Sequence, residues 1–121
     1  MITWGTDPEY FIVENINGEE YGVPVPQFIE NLGVEEIGFD ETRKHPVILQ
    51  GDDFKVVMDG IAVEVNCKPA ATAKELYERV HRSIEAIGDL ATKFGYSVAL
   101  KPTVKYDFNK WYNPKSELFA W

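Results

Sequence analysis

Residues 54–67, FKVVMDGIAVEVNC, decide the fold. Phe54-Lys55-Val56-Val57-Met58 and Ile61-Ala62-Val63-Glu64-Val65-Asn66-Cys67 are rich in β-branched and apolar residues, so both read as strand. Asp59-Gly60 between them is a turn or bulge signal. Two-residue periodicity places Ile61, Val63, Val65 and Cys67 on one face, and Ala62, Glu64 and Asn66 on the other. The first row is core by its chemistry; the second is polar and begins with a small residue. An acidic side chain on a strand ordinarily marks the solvated face of a half-buried sheet, because charge is depleted inside cores. The competing reading is a carboxylate held on a strand for chemistry.

Downstream, Pro69 ends the strand and a helix is expected from about Ala73 to Phe94. Thr72 with Glu75 three residues later forms a capping box. Leu76, Val80, Ile84, Ile87, Ala91 and Phe94 recur at three- and four-residue spacing as a single apolar stripe, and Gly95 stands where a left-handed C-terminal cap belongs. Tyr96 to Val104 alternates as a further strand, which Pro102 pushes toward an edge or an end. Asp107 to Pro114 is aromatic and loop-like, and the sequence ends on Leu118-Phe119-Ala120-Trp121.

Upstream, GTDPEYF at residues 5–11 has two readings. Thr6-Asp7-Pro8-Glu9 has the form of a helix start, yet Tyr10-Phe11-Ile12-Val13 follows at once as strand. As strand, Asp7 and Glu9 share a side that Phe11 and Val13 continue. Asn15-Ile16-Asn17-Gly18 supplies a turn, from which Glu19 to Val23 pairs back as a hairpin. Residues 24–53 are the least defined; Phe28 to Gly33 reads as a short helical turn closed by Gly33. The order of elements predicts one α+β domain over residues 1–121. It would be a largely antiparallel sheet with one long amphipathic helix packed on one face.

The 20 acidic against 12 basic residues give a net charge of -8, with no Lys/Arg cluster to bind a phosphate backbone, so no nucleic acid is expected as partner. One cysteine, Cys67, excludes an internal disulfide and suits a reducing cytoplasm. Apolar runs are far shorter than the ~20 residues of a membrane-spanning helix, and the N-terminus lacks the pattern of a signal peptide. Phosphate-binding loops of the GxxxxGK[ST] and GxGxxG types, GxSxG, and metal-type Cys/His spacing do not occur. What remains is a set of strand-borne carboxylates, Asp7, Glu9 and Glu64, with Asn66 beside them. If the two strands share a sheet, these hard oxygen ligands converge as Mg²⁺ with a nucleotide phosphate would require.

Two ordered motifs carry a resemblance. Gly5 to Tyr10, GTDPEY, fits G-x-D-P-E-(F/L/Y), and Asp59 to Ala70, DGIAVEVNCKPA, fits D-(G/N)-x-x-x-E-(F/V)-N-x-x-P-A. Lys74-Glu75-Leu76-Tyr77 and Gly95-Tyr96-Ser97-Val98 match later segments. The chain thus resembles the phage-type COOH-NH2 ligases (type 2), amidoligases of the glutamine synthetase and glutamate-cysteine ligase superfamily. The resemblance implies a glutamine synthetase-like half-domain, encoded by a phage and working in the host cytoplasm. It implies an ATP- and Mg²⁺-dependent joining of a small-molecule or peptide carboxylate to an amine through an acyl phosphate. Glu9 and Glu64 would be the catalytic metal ligands, Asp7 a further ligand, and Asn66 a cofactor-binding residue. Thr42-Arg43-Lys44-His45-Pro46 loosely matches the family's G-T-K-x-x-P loop, which makes Arg43 and Lys44 candidates for binding ATP phosphate. The family's domain runs past the equivalent of Trp121. This chain is therefore expected to be its N-terminal part, with the rest missing or its exposed sheet edge paired in a homodimer. Two alternatives stand beside the ligase: a non-catalytic binding or assembly domain keeping the fold, and an acid-base hydrolase using Glu9 and Glu64 as a carboxylate pair.

Overall fold

The computed structural model describes residues 2–24, 28, 38–40, 45–59 and 62–107. Within them run β1 (Glu9–Ile16), β2 (Glu19–Gly22), β3 (Gly38–Asp40), β4 (His45–Gln50), β5 (Phe54–Asp59), β6 (Ala62–Cys67), α1 (Ala73–Thr92) and β7 (Ser97–Ala99). The seven described strands form one sheet in the order β2-β1-β6-β5-β4-β3, with β7 also on β1. Every strand pair is antiparallel. Val13 pairs with both Gly22 and Ser97, so β2 and β7 lie on opposite edges of β1, and β6 and β7 share one edge in succession.

Local chemistry accounts for the turns. Asn17 and Gly18 take φ of 53° and 86°, the pair of positive values a tight two-residue hairpin turn needs, and Asn15 Oδ1 accepts the Gly18 N–H at 2.9 Å. β5 and β6 pair antiparallel from Phe54–Cys67 to Asp59–Ala62. GTDPEYF is not a helix start, since strand begins at Glu9, and before it the Pro8 carbonyl accepts from the Val65 N–H and Trp4 pairs with Ala70, beyond the end of β6. Trp4 and Ala70 exchange both backbone hydrogen bonds there, at 2.7 and 2.8 Å. The helix is capped as its sequence requires. Thr72 Oγ1 accepts the Glu75 N–H at 3.1 Å, and the Glu75 carboxylate reaches back to the Ala71 N–H. At the other end Gly95, with φ of 76°, lets Tyr96 N–H reach the Ala91 carbonyl.

The fold differs from the expected α+β arrangement of a long helix laid along one sheet face, and with it from a glutamine synthetase-like half-domain. Among the described residues the protein is strand-rich: a small, mostly antiparallel sheet curled as a half-barrel, with the one long helix, α1, at its side. Only Ser83, Ile87 and Ala91 of α1 are buried, all in its C-terminal half. Leu76, Val80 and Ile84 are half-buried, and Phe94 lies beyond the helix with 36% of its surface exposed. The apolar stripe is real, but the N-terminal half of α1 is tethered by polar contacts instead. Arg79 and Arg82 both hold the Asp53 carboxylate. The expected strand from Tyr96 to Val104 is reduced to β7, while β3 and β4 fill a region that read as irregular. The helical turn expected from Phe28 to Gly33 and the terminal aromatic segment lie outside the described residues, apart from Phe28 and Asp107.

The core joins Ile12, Val23, Phe28, Ile48, Val56, Met58, Val63, Val65, Ile87 and Ala91 between sheet and helix. Val13, Val57, Ala62 and Glu64, on the opposite face of the same strands, are buried as well. Around β6 the sheet is thus shielded on both sides. At the rim of β2 the Tyr106 ring packs edge-on to Phe11 and lies directly over Gly22, where a Cβ would penetrate the ring. Gly22→Ala is expected to cost about 1–3 kcal/mol through overpacking, read as a lowered urea midpoint with the slope unchanged. An unaltered midpoint would show that Tyr106 moves aside freely. No helix among the described residues is long and apolar enough to cross a membrane.

Candidate metal centre

Three strands deliver one carboxylate each to a single point. Glu9 comes from the start of β1, Asp59 from the end of β5 and Glu64 from the middle of β6. One carboxylate oxygen from each lies within 4.8 Å of the other two. The register explains the convergence. Glu64 faces Glu9 across one side of β6 and Val57 across the other, and Asp59 stands two residues from Val57 on β5. Directly paired residues project to the same face, as do residues two apart on a strand, so all three carboxylates share the face turned away from α1.

The Glu9–Glu64 pairing is of the closer kind. The neighbouring ladder bond runs from Val65 N–H to the Pro8 carbonyl at 2.9 Å, which makes Glu9 and Glu64 a non-hydrogen-bonded pair. Side chains approach most nearly in such pairs, with Cα atoms about 4.5 Å apart. Pro8 has no N–H with which to return a bond, so regular pairing stops there. The dipeptide that resembled a helix start thus ends the ladder just where Glu9 meets Glu64.

Exposure is graded across the group. Glu9 is exposed, Asp59 is half-buried, and Glu64 is only 5% exposed. Glu64 therefore does not lie on a solvated face. The Glu9 carboxyl is raised above its ordinary value of 4.5, first by partial desolvation, then by a hydrogen bond with Asp59, then by the negative fields of Asp59 and Glu64. The fold prefers Glu9 protonated. Its contribution to stability is complete below pH 4.5 and is lost as pH rises through the higher folded value. In metal-free buffer, Glu9→Gln is expected to gain thermal stability over the parent as pH climbs above 4.5. Parallel Tm–pH curves for the two proteins would contradict this.

The donor set suits a hard divalent cation. Mg²⁺, bound at about 2.0–2.1 Å, spans at most about 4.2 Å between opposite oxygens, and Ca²⁺, bound at about 2.3–2.6 Å, spans about 5 Å. The three oxygens reach these spans with little movement, and exposed Glu9 is free to supply it.

The other expected site residues are placed differently. Asp7 is exposed and outside this group. Its charge bears on the Cys67 thiol, which burial first, then Asp53 and more weakly Asp7 push up, against the opposing Arg79 and Arg82. Asn66 lies two residues beyond Glu64 on the same face, half-buried and opposite Lys55. Arg43 and Lys44 lie outside the described residues. Sequence reasoning missed Asp59 and Lys55. Asp59 reads there as part of a turn or bulge signal and as the opening position of the second motif, with no role in the site, and Lys55 as part of an apolar run. Alternation along 54–59, read with the β5–β6 register, places both on the Glu64 face.

Comparison with family models, curated proteins and solved structures yields no match.

Proposed function

We propose that this chain is an ATP- and Mg²⁺-dependent carboxylate-amine ligase of the cytoplasm, joining a small-molecule or peptide carboxylate to an amine. The observation that carries the reading is the meeting of Glu9 with Asp59 and Glu64. Two segments far apart in sequence, each with a ligase-like motif, contribute to one carboxylate group.

In this reading Glu9, Asp59 and Glu64 would hold Mg²⁺, which would supply neutralisation of the charge on the γ-phosphoryl group. Glu64, buried in mid-strand, is the fixed member. Glu9, whose carboxyl is raised, gives up its proton on binding, so cation affinity increases as pH rises through the Glu9 range. Asn66 and Lys55, next along the face, offer an amide and an ammonium to the polar groups of the substrates. The substrate carboxylate attacks the γ-phosphorus and ADP leaves. The amine then displaces phosphate from the acyl carbon and loses a proton.

The test is an ADP-release assay with Mg²⁺, ATP and mixed carboxylates, using hydroxylamine as the amine so that an acyl phosphate is trapped as hydroxamate. Hydroxamate that depends on ATP and Mg²⁺ is the expected result. Nucleotide binding without ADP release would mark a binding domain that keeps the site. Calorimetry showing no heat with Mg²⁺ and a non-hydrolysable ATP analogue would remove the nucleotide altogether.

A further inference from the structure

We propose that Arg79 is a positioning residue that sets the register of the carboxylate group from the far side of the sheet. The basis is a one-residue offset between two pairings. From the Glu9–Glu64 pair to the Trp4–Ala70 pair there are five steps along the first segment and six along the second. One extra residue is therefore accommodated between Glu64 and Ala70, on the strand that carries Glu64.

Arg79 grips that stretch. Its Nη1 donates to the carbonyls of both Lys68 and Pro69 at 2.8 Å, and its Nε lies 3.4 Å from the Asp53 carboxylate. The Lys68 N–H donates in turn to the Asp53 carbonyl at 2.8 Å, and Arg82 binds the Asp53 carboxylate from the next turn of α1. This segment is thus tied to α1 and to the start of β5 together.

The consequence lies in the register. Without the extra residue, pairing continued from Trp4–Ala70 would set Glu9 opposite Val65 and Tyr10 opposite Glu64. A one-residue slip sends every side chain of a strand to the other face. Glu9 would then join the core side with Val65, and the three carboxylates would no longer meet. The purpose of this device rests on the cation reading; the register effect itself does not.

The experiment separates the two. NMR of the parent is expected to show a Glu9 Hα–Glu64 Hα contact, which Arg79→Ala loses while contacts between β5 and β6 persist. Ca²⁺ affinity by calorimetry should fall by about tenfold or more, as when groups that orient metal ligands are removed. Asp53→Asn, which loosens Arg79 with less disturbance, is expected to weaken the same contact and decides the matter if Arg79→Ala does not fold. A Glu9–Glu64 contact of parental strength in a folded variant overturns the role of Arg79. A parent that binds no Ca²⁺ or Mg²⁺ overturns the cation reading instead, and leaves the register comparison to judge Arg79 alone.

Discussion

Glu64→Gln is expected to reduce divalent-cation affinity on the order of 100-fold or more while the protein stays folded. Loss of a direct carboxylate ligand should cost at least what loss of an orienting group does, about 10–100-fold. Gln keeps the size of the side chain and one acceptor oxygen at a position only 5% exposed, so no cavity opens in the sheet. It also removes the like charge opposite Glu9, a repulsion of roughly 0.2–1 kcal/mol for directly paired residues. Asp7→Asn, outside the three-carboxylate group, is expected to bind Ca²⁺ within about twofold of the parent, since its exposed charge acts only through screened distance. Calorimetric titration of both variants with Ca²⁺ and Mg²⁺, alongside circular dichroism, makes the comparison. Parental affinity in Glu64→Gln would take Glu64 out of the site, whatever activity the protein has.

The second large effect concerns α1. Ile87→Ala is expected to cost about 2–5 kcal/mol, the range for truncating a buried aliphatic residue. For a domain of this size that lowers Tm by roughly 8–20 °C. Ile87 has no exposed surface and packs with Val56, Met58 and Val63. Leu76, half-buried near the helix start, should cost only about 1 kcal/mol when cut to Ala, because little apolar surface leaves water there. Equal losses for the two variants would restore a helix packed along its full length.

The same contrast shows what could be read from the residues alone. Thr72, Glu75 and Gly95 announce the ends of α1 because caps are local chemistry. Asn17-Gly18 announces its hairpin for the same reason. The stripe from Leu76 to Phe94 announces an apolar face, but not how much of it a partner surface covers. β3 and β4 escaped because Pro46 and the surrounding glycines dilute strand propensity, and their pairing is settled by neighbours distant in sequence. At the site, alternation put Glu64 on its face without saying that this face is closed to water. Asp59 escaped because Asp-Gly reads as a turn, and only the register of β5 against β6 shows that its side chain turns toward Glu64. The pairing of Glu9 with Glu64 depends on a one-residue offset held by Arg79, and no local pattern encodes such a tether.

The double burial of β6 sets a clock as well as a shape. Its backbone lies between β1 and β5, with Val63 and Val65 covered on one side and Ala62 and Glu64 on the other. Amide protons in such a strand exchange with solvent only when the whole domain opens, whereas strand ends exchange through local fraying. Glu64 therefore rides on backbone expected to open only with the domain, and Glu9 sits at the first residue of β1 beside a proline. An ion entering this site would meet an anchor and a latch, and its residence time would follow the swing of the Glu9 side chain, not the breathing of the sheet.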